Sequence, residues 1–217
     1  MNLIQQIACL SEFVTPERYR LFQKIVRHRT RYFTVALENI YQSHNASAVL
    51  RTCDCLGVQD IHVLEAANTF KVSEDVALGA EKWLTINRYQ DPSALISELR
   101  RKKYRIVATS SHYNACMLPD FDVTKGPAAI LLGTELSGLS DDLIKEADEI
   151  LMIPMYGFTE SFNISVSAAL ILYTVMQKLK DSGLSYGLSE AENEELILNW
   201  LKKTVKDSGE ILKRKGL

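Results

Sequence analysis

The sequence has few of the features that mark secreted or metal-binding proteins. Its 217 residues include only four cysteines and five prolines. The cysteines, Cys9, Cys53, Cys55 and Cys116, are too few and too irregularly spaced for a disulfide framework. Cys53 and Cys55 form a C-x-C pair that lacks a second pair and a histidine at ligand spacing. We therefore expect reduced, buried thiols and no metal site.

Long apolar runs are also missing. The most apolar window, residues 165–176, covers about three helical turns and is interrupted by Ser167 and Thr174. The N-terminus lacks the basic flank and the small-residue cleavage site of a signal peptide. We therefore expect a cytoplasmic protein that does not associate with membranes.

The net charge is only −2, but its distribution along the chain is uneven. Residues 16–31 carry +5 and residues 201–217 carry +4, whereas residues 32–200 carry −10. Phosphate binding depends on local charge, so two basic ends are compatible with a nucleic-acid partner. The alternative is an ordinary solvated helix surface. The candidate RNA-binding residues are Arg18, Arg20, Lys24, Arg27, Arg29, Arg31, Lys202, Lys203, Lys206, Lys213, Arg214 and Lys215.

Short apolar runs alternate with helical stretches from residue 33 onward, which indicates a parallel sheet covered by helices on both faces. The predicted strands are 33–39, 60–66, 84–89, 104–109, 128–133 and 149–154. The predicted helices of this region are 46–56, 92–103, 141–147 and 162–180. One or two further helices are predicted at each end of the chain, within residues 3–28 and 189–215. With a hinge at 181–183, the predicted domains are 1–31, 32–181 and 182–217.

Three polar segments follow predicted strands, where parallel sheets bind their ligands. The first, HNASAVLRTCDCLGV (44–58), contains Asn45, which can cap the following helix, and Arg51, which is either a surface charge or a phosphate-binding group. The second, LLGTELSGLS (131–140), has glycines that let the backbone approach a ligand, although it is neither a G-x-G-x-x-G nor a P-loop motif. The third, IPMYGFTESFNISVSAALILY (153–173), leads from a strand into an apolar helix.

Taken together and in this order, the three segments resemble the motifs of the SPOUT methyltransferases, most closely the TrmH family of RNA ribose 2′-O-methyltransferases. The resemblance covers roughly residues 17–180. The basic N-terminal helix that runs into RYFTVALENIYQSHN and the basic tail are similar to family members that act on guanosine 18 of tRNA. Relatives that act on ribosomal RNA usually carry an N-terminal substrate domain, for which 32 residues leave no room.

The resemblance implies a SPOUT-type α/β fold: a parallel sheet with helices on both faces, a C-terminal trefoil knot, and helical extensions at both ends. It also implies a homodimer with tRNA as substrate and S-adenosyl-L-methionine as cofactor. The cofactor-binding residues would be Thr109, Leu132, Gly133, Ile153, Met155 and Phe162. Phe162 stands where the family usually has leucine. No metal is implied, because the sulfonium of the cofactor already activates its methyl group.

The catalytic residues that the resemblance implies are Asn45, Arg51, Glu135, Ser161 and Asn163. A ribose 2′-hydroxyl is a poor nucleophile and must be deprotonated and placed in line with the methyl group. Arg51 is the family's candidate base. Since arginine normally stays protonated, its alternative role is to bind a phosphate beside the ribose and lower the hydroxyl pKa by its charge.

Three alternative functions remain open on the sequence. A related enzyme could modify ribosomal RNA or the wobble nucleotide of tRNA, and a non-catalytic RNA-binding relative would keep the fold alone. The five implied catalytic residues favour an enzyme over the latter. A nicotinamide-dependent oxidoreductase would also be α/β, but it would require the G-x-G-x-x-G motif that is missing after the first strand.

Overall fold

The computed structural model describes residues 3–110, 115–134 and 137–217. Strands and helices alternate from residue 33, and all six predicted strands are confirmed with bounds shifted by a few residues. The described residues add one strand of only two residues, which is too short for any periodicity to predict. The strands are β1 (Phe33–Glu38), β2 (Asp60–Leu64), β3 (Thr85–Tyr89), β4 (Arg105–Thr109), β5 (Cys116–Met117), β6 (Ala128–Leu132) and β7 (Glu149–Met152).

The four helices predicted between and after the strands are also confirmed, and short helical turns appear in the connecting loops. The α-helices of the described residues are α1 (Leu3–Ser11), α2 (Pro16–Val26), α3 (Ser43–Leu56), α4 (Glu74–Ala77), α5 (Pro92–Arg101), α6 (Asp141–Lys145), α7 (Ile164–Asp181), α8 (Glu190–Thr204) and α9 (Ser208–Arg214). Three 3₁₀ helices lie at Ala80–Lys82, Leu118–Asp120 and Val123–Lys125.

The strands form a single parallel sheet in the order β3-β2-β1-β6-β4-β7-β5. The chain adds β2 and β3 to one side of β1, and it builds the remaining strands on the other side. The strand order therefore reverses next to β1, and this reversal opens a crevice at the carboxyl ends of the strands. Strand β6 enters between β1 and β4, with Leu37 opposite Leu132 and Arg105 opposite Ala128.

Alternating residues of the central strands face two separate hydrophobic layers. Val35 and Leu37 of β1 pack into the layer built with α3 and α7, whereas Ala36 faces the layer built with α5 and α6. Every residue of β1, β2 and β6 is buried, which is the pattern of a parallel sheet with helices on both faces. Each fully buried large apolar side chain stabilises the fold by about 1.5–3 kcal/mol.

Residues up to Thr30 and Gly187–Leu217 form a second compact unit, separate from Arg31–Tyr186. Its core contains Trp200, whose indole packs on Phe22 with ring centroids 5.6 Å apart. Helix α2 begins as predicted, with Pro16 in the first turn and the Thr15 hydroxyl accepting the amide hydrogen of Arg18. The two ends of the chain thus belong to one unit, and the sheet unit covers residues 31–186.

None of the four cysteines, all of which the structure describes, forms a disulfide, and only Cys53 is buried. The expectation of buried thiols is therefore wrong for Cys55, which is exposed, and for Cys9 and Cys116, which are half-buried. C-x-C spacing places two residues of a helix on different sides, so burial of one exposes the other. Within the ranges that the structure describes, no helix has both the length and the apolar character needed to cross a membrane.

A buried histidine lies on the face of β2 that packs against α5. The Nδ1 of His62 is 2.9 Å from the Tyr89 hydroxyl, and the two rings stack at 5.6 Å. Its Nε2 is buried and makes no hydrogen bond within the described part of the chain. Burial, assisted by the nearby charge of Lys102 and opposed by Asp60 and Glu98, lowers the pKa of His62 from 6.5 to about 4.

The lowered pKa of His62 predicts that acid destabilises the fold. Below pH 6.5 His62 becomes protonated in the unfolded chain, whereas in the folded chain it stays neutral until the pH approaches 4. We expect this group alone to remove about 2 kcal/mol of unfolding free energy between pH 7 and pH 5. Denaturant titrations at both pH values would show this loss reduced in His62→Phe. The exposed-site variant His28→Gln should keep the wild-type loss, and an equal loss in His62→Phe would contradict the prediction.

Candidate functional site

A cavity of about 440 Å³ opens at the carboxyl ends of β4, β6 and β7. All six predicted cofactor-binding residues line it, because the three loops that follow these strands and the start of α7 converge there. These residues are Thr109, Leu132, Gly133, Ile153, Met155 and Phe162. The predicted catalytic residue Ser161 lines the same cavity. Residues that are distant in the sequence thus line the same cavity.

Two glycines shape the loop after β6. A Cβ on Gly133 would overlap the backbone of Gly138 and Leu139, so only glycine fits at this crossing. Gly138 has a φ of +68°, the left-handed region that glycine adopts without strain. Backbone hydrogen bonds of 3.0 Å join Thr134 and Gly138 in both directions. These bonds hold Thr134 and Gly138 next to each other, and both residues line the cavity.

The wall of the cavity combines apolar and polar groups. Leu132, Leu139 and Ile153 provide apolar surface, and the hydroxyl-bearing residues Thr134 and Ser137 lie on the loop after β6. The carboxylate residues Asp141 and Glu160 also line the cavity. A cavity of this size and mixture suits a small ligand with a flat apolar ring, hydrogen-bonding groups and positive charge.

The first and third polar segments meet through two asparagines. The Asn163 side-chain amide donates to Asn45 Oδ1 at 3.1 Å, and the Asn45 amide donates to Gln42 Oε1 at 3.0 Å. Asn163 also caps α7, with its Oδ1 accepting the backbone amide of Ser165 at 2.9 Å. The expectation that Asn45 caps its helix is wrong, because α3 begins at Ser43 and Asn45 already lies in the first turn.

Arg51 lies on the exposed side of α3 and is not among the residues that line the cavity. Within the described ranges its guanidinium forms no hydrogen bond or ion pair, so its charge is available to a ligand. The buried face of the same helix carries Val49, Leu50 and Cys53. Glu135, the remaining predicted catalytic residue, lies outside the described residues.

Nine of the twelve predicted RNA-binding cations are exposed, whereas Arg18, Arg29 and Arg31 are not. Arg18 is half-buried, and its guanidinium lies over the Phe22 ring at 5.3 Å. Arg29 is only 2% exposed and its guanidinium lies over the Trp200 ring at 5.4 Å. Arg31 is half-buried and its Nε is 3.2 Å from Asp60. These two positive charges support the folded units, so we leave Arg29 and Arg31 out of the proposed RNA-binding surface. Lys202, Lys203, Lys206, Lys213, Arg214 and Lys215 are all exposed.

Several residues of the site were not singled out from the sequence. Ser110, Ser137 and Glu160 line the cavity, and isolated polar residues in loops carry no signal that separates them from ordinary surface. Gly138 differs from these residues, because the glycines of the second segment already indicate a turned loop whose backbone can approach a ligand. Glu38, a carboxylate at the end of an apolar strand, is a further visible signal, although it does not itself line the cavity.

The open parallel sheet and the cavity at the carboxyl ends of its strands define an α/β ligand-binding protein. The sequence model described as the SpoU rRNA Methylase family matches residues 32–173. The chain therefore belongs to the SpoU methylase family, and the resemblance to the TrmH group that its three motifs indicate is confirmed.

Comparison with individual proteins extends the match to both ends of the chain. A relative from Borreliella burgdorferi, named tRNA (guanosine(18)-2'-O)-methyltransferase, is 39% identical over 206 residues, which cover 95% of this chain and 94% of the relative. A relative of the same name from Thermus thermophilus is 32% identical over 87% of this chain and 98% of its own. The crystal structure of the A. aeolicus TrmH/SpoU tRNA modifying enzyme superposes with a TM-score of 0.80 at 29% identity, covering 87% and 97% of the two chains.

Proposed function

We propose that this protein methylates the ribose 2′-hydroxyl of guanosine 18 in tRNA. The chain is an RNA ribose 2′-O-methyltransferase that uses S-adenosylmethionine. The observation that carries the choice of nucleotide is the match with the Borreliella burgdorferi relative, which covers 95% of this chain and therefore extends beyond the sheet unit into both basic ends. A substrate that engages those ends would explain why the likeness is not confined to the catalytic region.

The residues around the cavity fit S-adenosylmethionine. Apolar side chains such as Leu132 and Ile153 can pack on an adenine ring, and Asp141 and Glu160 supply negative charge for a cationic ligand. The loop after β6 offers backbone groups at close range, because Gly133 and Gly138 leave no side chain in the way. When bound, the cofactor supplies a methyl group that its positively charged sulfur makes reactive.

The chain's own residues would then prepare the ribose. We assign Arg51 to the phosphate beside the target nucleoside, where its charge lowers the pKa of the 2′-hydroxyl. Direct proton removal by Arg51 is the second possibility, and it would require a neutral guanidinium. Asn45 and Asn163, joined at 3.1 Å, would orient the nucleotide, and Ser161 would form part of the wall between it and the cofactor. Glu135 is proposed to orient Arg51 or the nucleotide.

The test of this function is to map the methylated nucleotide. Purified protein with S-adenosylmethionine and unmodified tRNA should yield a single 2′-O-methylguanosine at position 18, detected by mass spectrometry of nuclease fragments. Replacement of guanosine 18 by adenosine should abolish the product. Methylation of ribosomal RNA or of the wobble nucleotide in parallel reactions would instead support one of the related substrates, and no methylation of any RNA would support a non-catalytic role.

We further propose that the protein is a cytoplasmic homodimer with a trefoil knot in its C-terminal part. Three exposed apolar residues of α7, Val166, Leu170 and Tyr173, follow a helical spacing and form one stripe, which supports an interface between two copies. For the knot, the segment after β7 runs beside the loops after β4 and β6 around the same cavity before it enters α7. Cysteine thiols that are not joined in disulfides are compatible with a reducing compartment.

The basic ends provide the proposed RNA-binding surface. They belong to one compact unit, with five Lys/Arg against two Asp/Glu in residues 1–30 and six against six in residues 187–217, a net charge of +3. The positive charges of the second segment are concentrated after residue 201. The sheet unit carries a net charge of −5, which together with the +3 of the terminal unit gives the net charge of −2 of the whole chain. A polyanion is therefore attracted to the terminal unit rather than to the sheet unit.

Neutralising the tail should weaken RNA binding independently of sequence. With Lys202, Lys203, Lys206, Lys213, Arg214 and Lys215 changed to glutamine, we expect lower tRNA affinity and a smaller slope of log affinity against log salt, by about one for each phosphate that the tail no longer neutralises. S-adenosylmethionine binding should not change. As a control, exposed lysines of the sheet unit, Lys71, Lys125 and Lys180, are neutralised together. Unchanged affinity and slope in the tail variant would place RNA recognition on the sheet-unit loops.

A further inference from the structure

Glu38 is a buried carboxylate at the carboxyl end of the central strand β1. It is only 5% exposed, and it faces the same side of the sheet as Ala36. A carboxylate in such a place is costly unless hydrogen bonds replace the water it has lost. Strand β1 pairs with β6 as far as Leu132, so Glu38 lies beside the point where the loop after β6 begins. The mechanism proposed above does not use this residue.

The partner of Glu38 is the far end of that loop. Its Oε2 accepts the backbone amide hydrogen of Ser140 at 2.7 Å, a bond between residues that are 102 positions apart. Ser140 is at the same time the N-cap of α6, where its hydroxyl accepts the amide hydrogen of Leu143 at 3.5 Å. The hydrogen bond from Ser140 to Glu38 thus connects the N-terminus of α6 to the central strand β1.

The loop between Gly133 and Ser140 is therefore held at both ends. At its start, the backbone of Gly133 lies against that of Gly138, and at its end the carboxylate of Glu38 holds Ser140. Between these two points the loop lines the cavity with Thr134, Ser137 and Leu139. The predicted catalytic residue Glu135 belongs to the same loop. Movement of Ser140 would also displace Leu139 and Gly138, the cavity-lining residues that precede it in the chain.

We propose that Glu38 is a positioning residue, whose hydrogen bond to Ser140 sets the loop after β6 in the conformation that binds the cofactor. This inference rests on the proposed function, since it takes the cavity to be the S-adenosylmethionine site. Glu38 itself is not among the residues that line the cavity. It acts through Ser140, and the loop is the element whose position it controls.

A second carboxylate of the chain provides a matched control. Glu65 follows β2, its side chain is only 7% exposed, and its Oε1 accepts the backbone amide hydrogen of Phe70 at 2.7 Å. It also pairs with Arg88 at 2.8 Å. The bond is of the same kind, but no residue of the segment 65–70, which is fully described, lines the cavity. Loss of Glu65 should therefore destabilise the fold without disturbing cofactor binding.

The experiment compares Glu38→Ala, Glu38→Gln and Glu65→Ala with the wild type in two measurements. Hydrogen exchange of the Ser140 amide, followed by NMR without any ligand, should become about tenfold faster or more in Glu38→Ala, because a charge-assisted hydrogen bond is lost. Calorimetric titration should show S-adenosylmethionine affinity reduced about tenfold to a hundredfold in the same variant. Glu38→Gln keeps an acceptor oxygen and should recover most of both properties. Glu65→Ala should leave both at the wild-type value.

Two results would overturn the inference: wild-type cofactor affinity in Glu38→Ala, or an equal loss of affinity in Glu65→Ala. If Glu38→Ala does not fold, Glu38→Asp replaces it, because the carboxylate remains but falls about 1.5 Å short of Ser140. Failure of the proposed function is distinguishable, since the wild type itself would then not bind S-adenosylmethionine. The Ser140 exchange measurement tests the hydrogen bond independently of any ligand.

Discussion

Replacing Arg51 by alanine is expected to lower the rate of methyl transfer about a thousandfold while cofactor binding stays at its wild-type value. The guanidinium is exposed on α3 and does not line the cavity, so its removal takes nothing from the cofactor site. Removal of a group that activates the nucleophile typically costs about 10²–10⁴ in rate. Single-turnover methylation of tRNA and calorimetric titration with S-adenosylmethionine measure the two quantities separately.

Two further variants make this result specific. Arg51→Lys keeps a positive charge but loses the planar fork that binds phosphate through two hydrogen bonds, so it should recover only part of the rate. Arg101→Ala removes an exposed arginine of α5 that pairs with Glu98 and should methylate normally. Normal turnover in Arg51→Ala would exclude Arg51 from the mechanism. Loss of cofactor binding in that variant would show a structural role instead.

Gly133→Ala should reduce S-adenosylmethionine affinity by about a hundredfold or more. The new Cβ would overlap the backbone of Gly138 and Leu139, and backbone cannot rotate away as a side chain can. The loop must open to make room, at a cost of about 1–3 kcal/mol or more, and its cavity-facing groups move with it. Calorimetric titration measures the loss directly, and circular dichroism at the same temperature verifies that the variant is folded.

Gly157→Ala is the matched control for this substitution. Gly157 lies in the loop between β7 and α7, and the nearest atom to an added Cβ is the Thr159 nitrogen at 3.9 Å, an ordinary contact distance. We expect this variant to bind the cofactor as the wild type does. Wild-type affinity in Gly133→Ala would mean that the loop after β6 is not part of the cofactor site, and S-adenosylmethionine would then have to bind elsewhere.

Local patterns in the sequence were sufficient to predict the sheet unit's main elements. Strands such as β6 are continuous apolar runs bounded by polar loops, and Thr15-Pro16 marks the start of α2 by capping chemistry alone. The two-residue strand β5 and the four-residue helix α4 could not be predicted in this way, because so few residues complete no period. Asn45 shows a related error: a residue suited to capping lies inside the helix and bonds to Asn163 instead.

The sequence shows where the basic residues lie along the chain, but it does not show which of them are exposed and able to bind RNA. The basic character of both ends is a property of composition, but Arg29 and Arg31 are used within the folded units, over Trp200 and beside Asp60. Burial decides whether a cation can meet a polyanion, and burial depends on residues far away in the chain. The same holds for Cys53 and Cys55, whose different exposures follow from the side of α3 on which each lies.

The sequence by itself determined the alternation of strands and helices, the three motifs and hence the family, because these depend on neighbouring residues and on their order. Only the tertiary structure decided that the two basic ends form one unit, that Gly133 crosses Gly138 without room for a side chain, and that Glu38 holds Ser140. Each of these contacts joins groups whose approach depends on how strands and loops pack in three dimensions. Local sequence propensities cannot predict these contacts, because hydrogen bonds and steric limits act through space rather than along the chain.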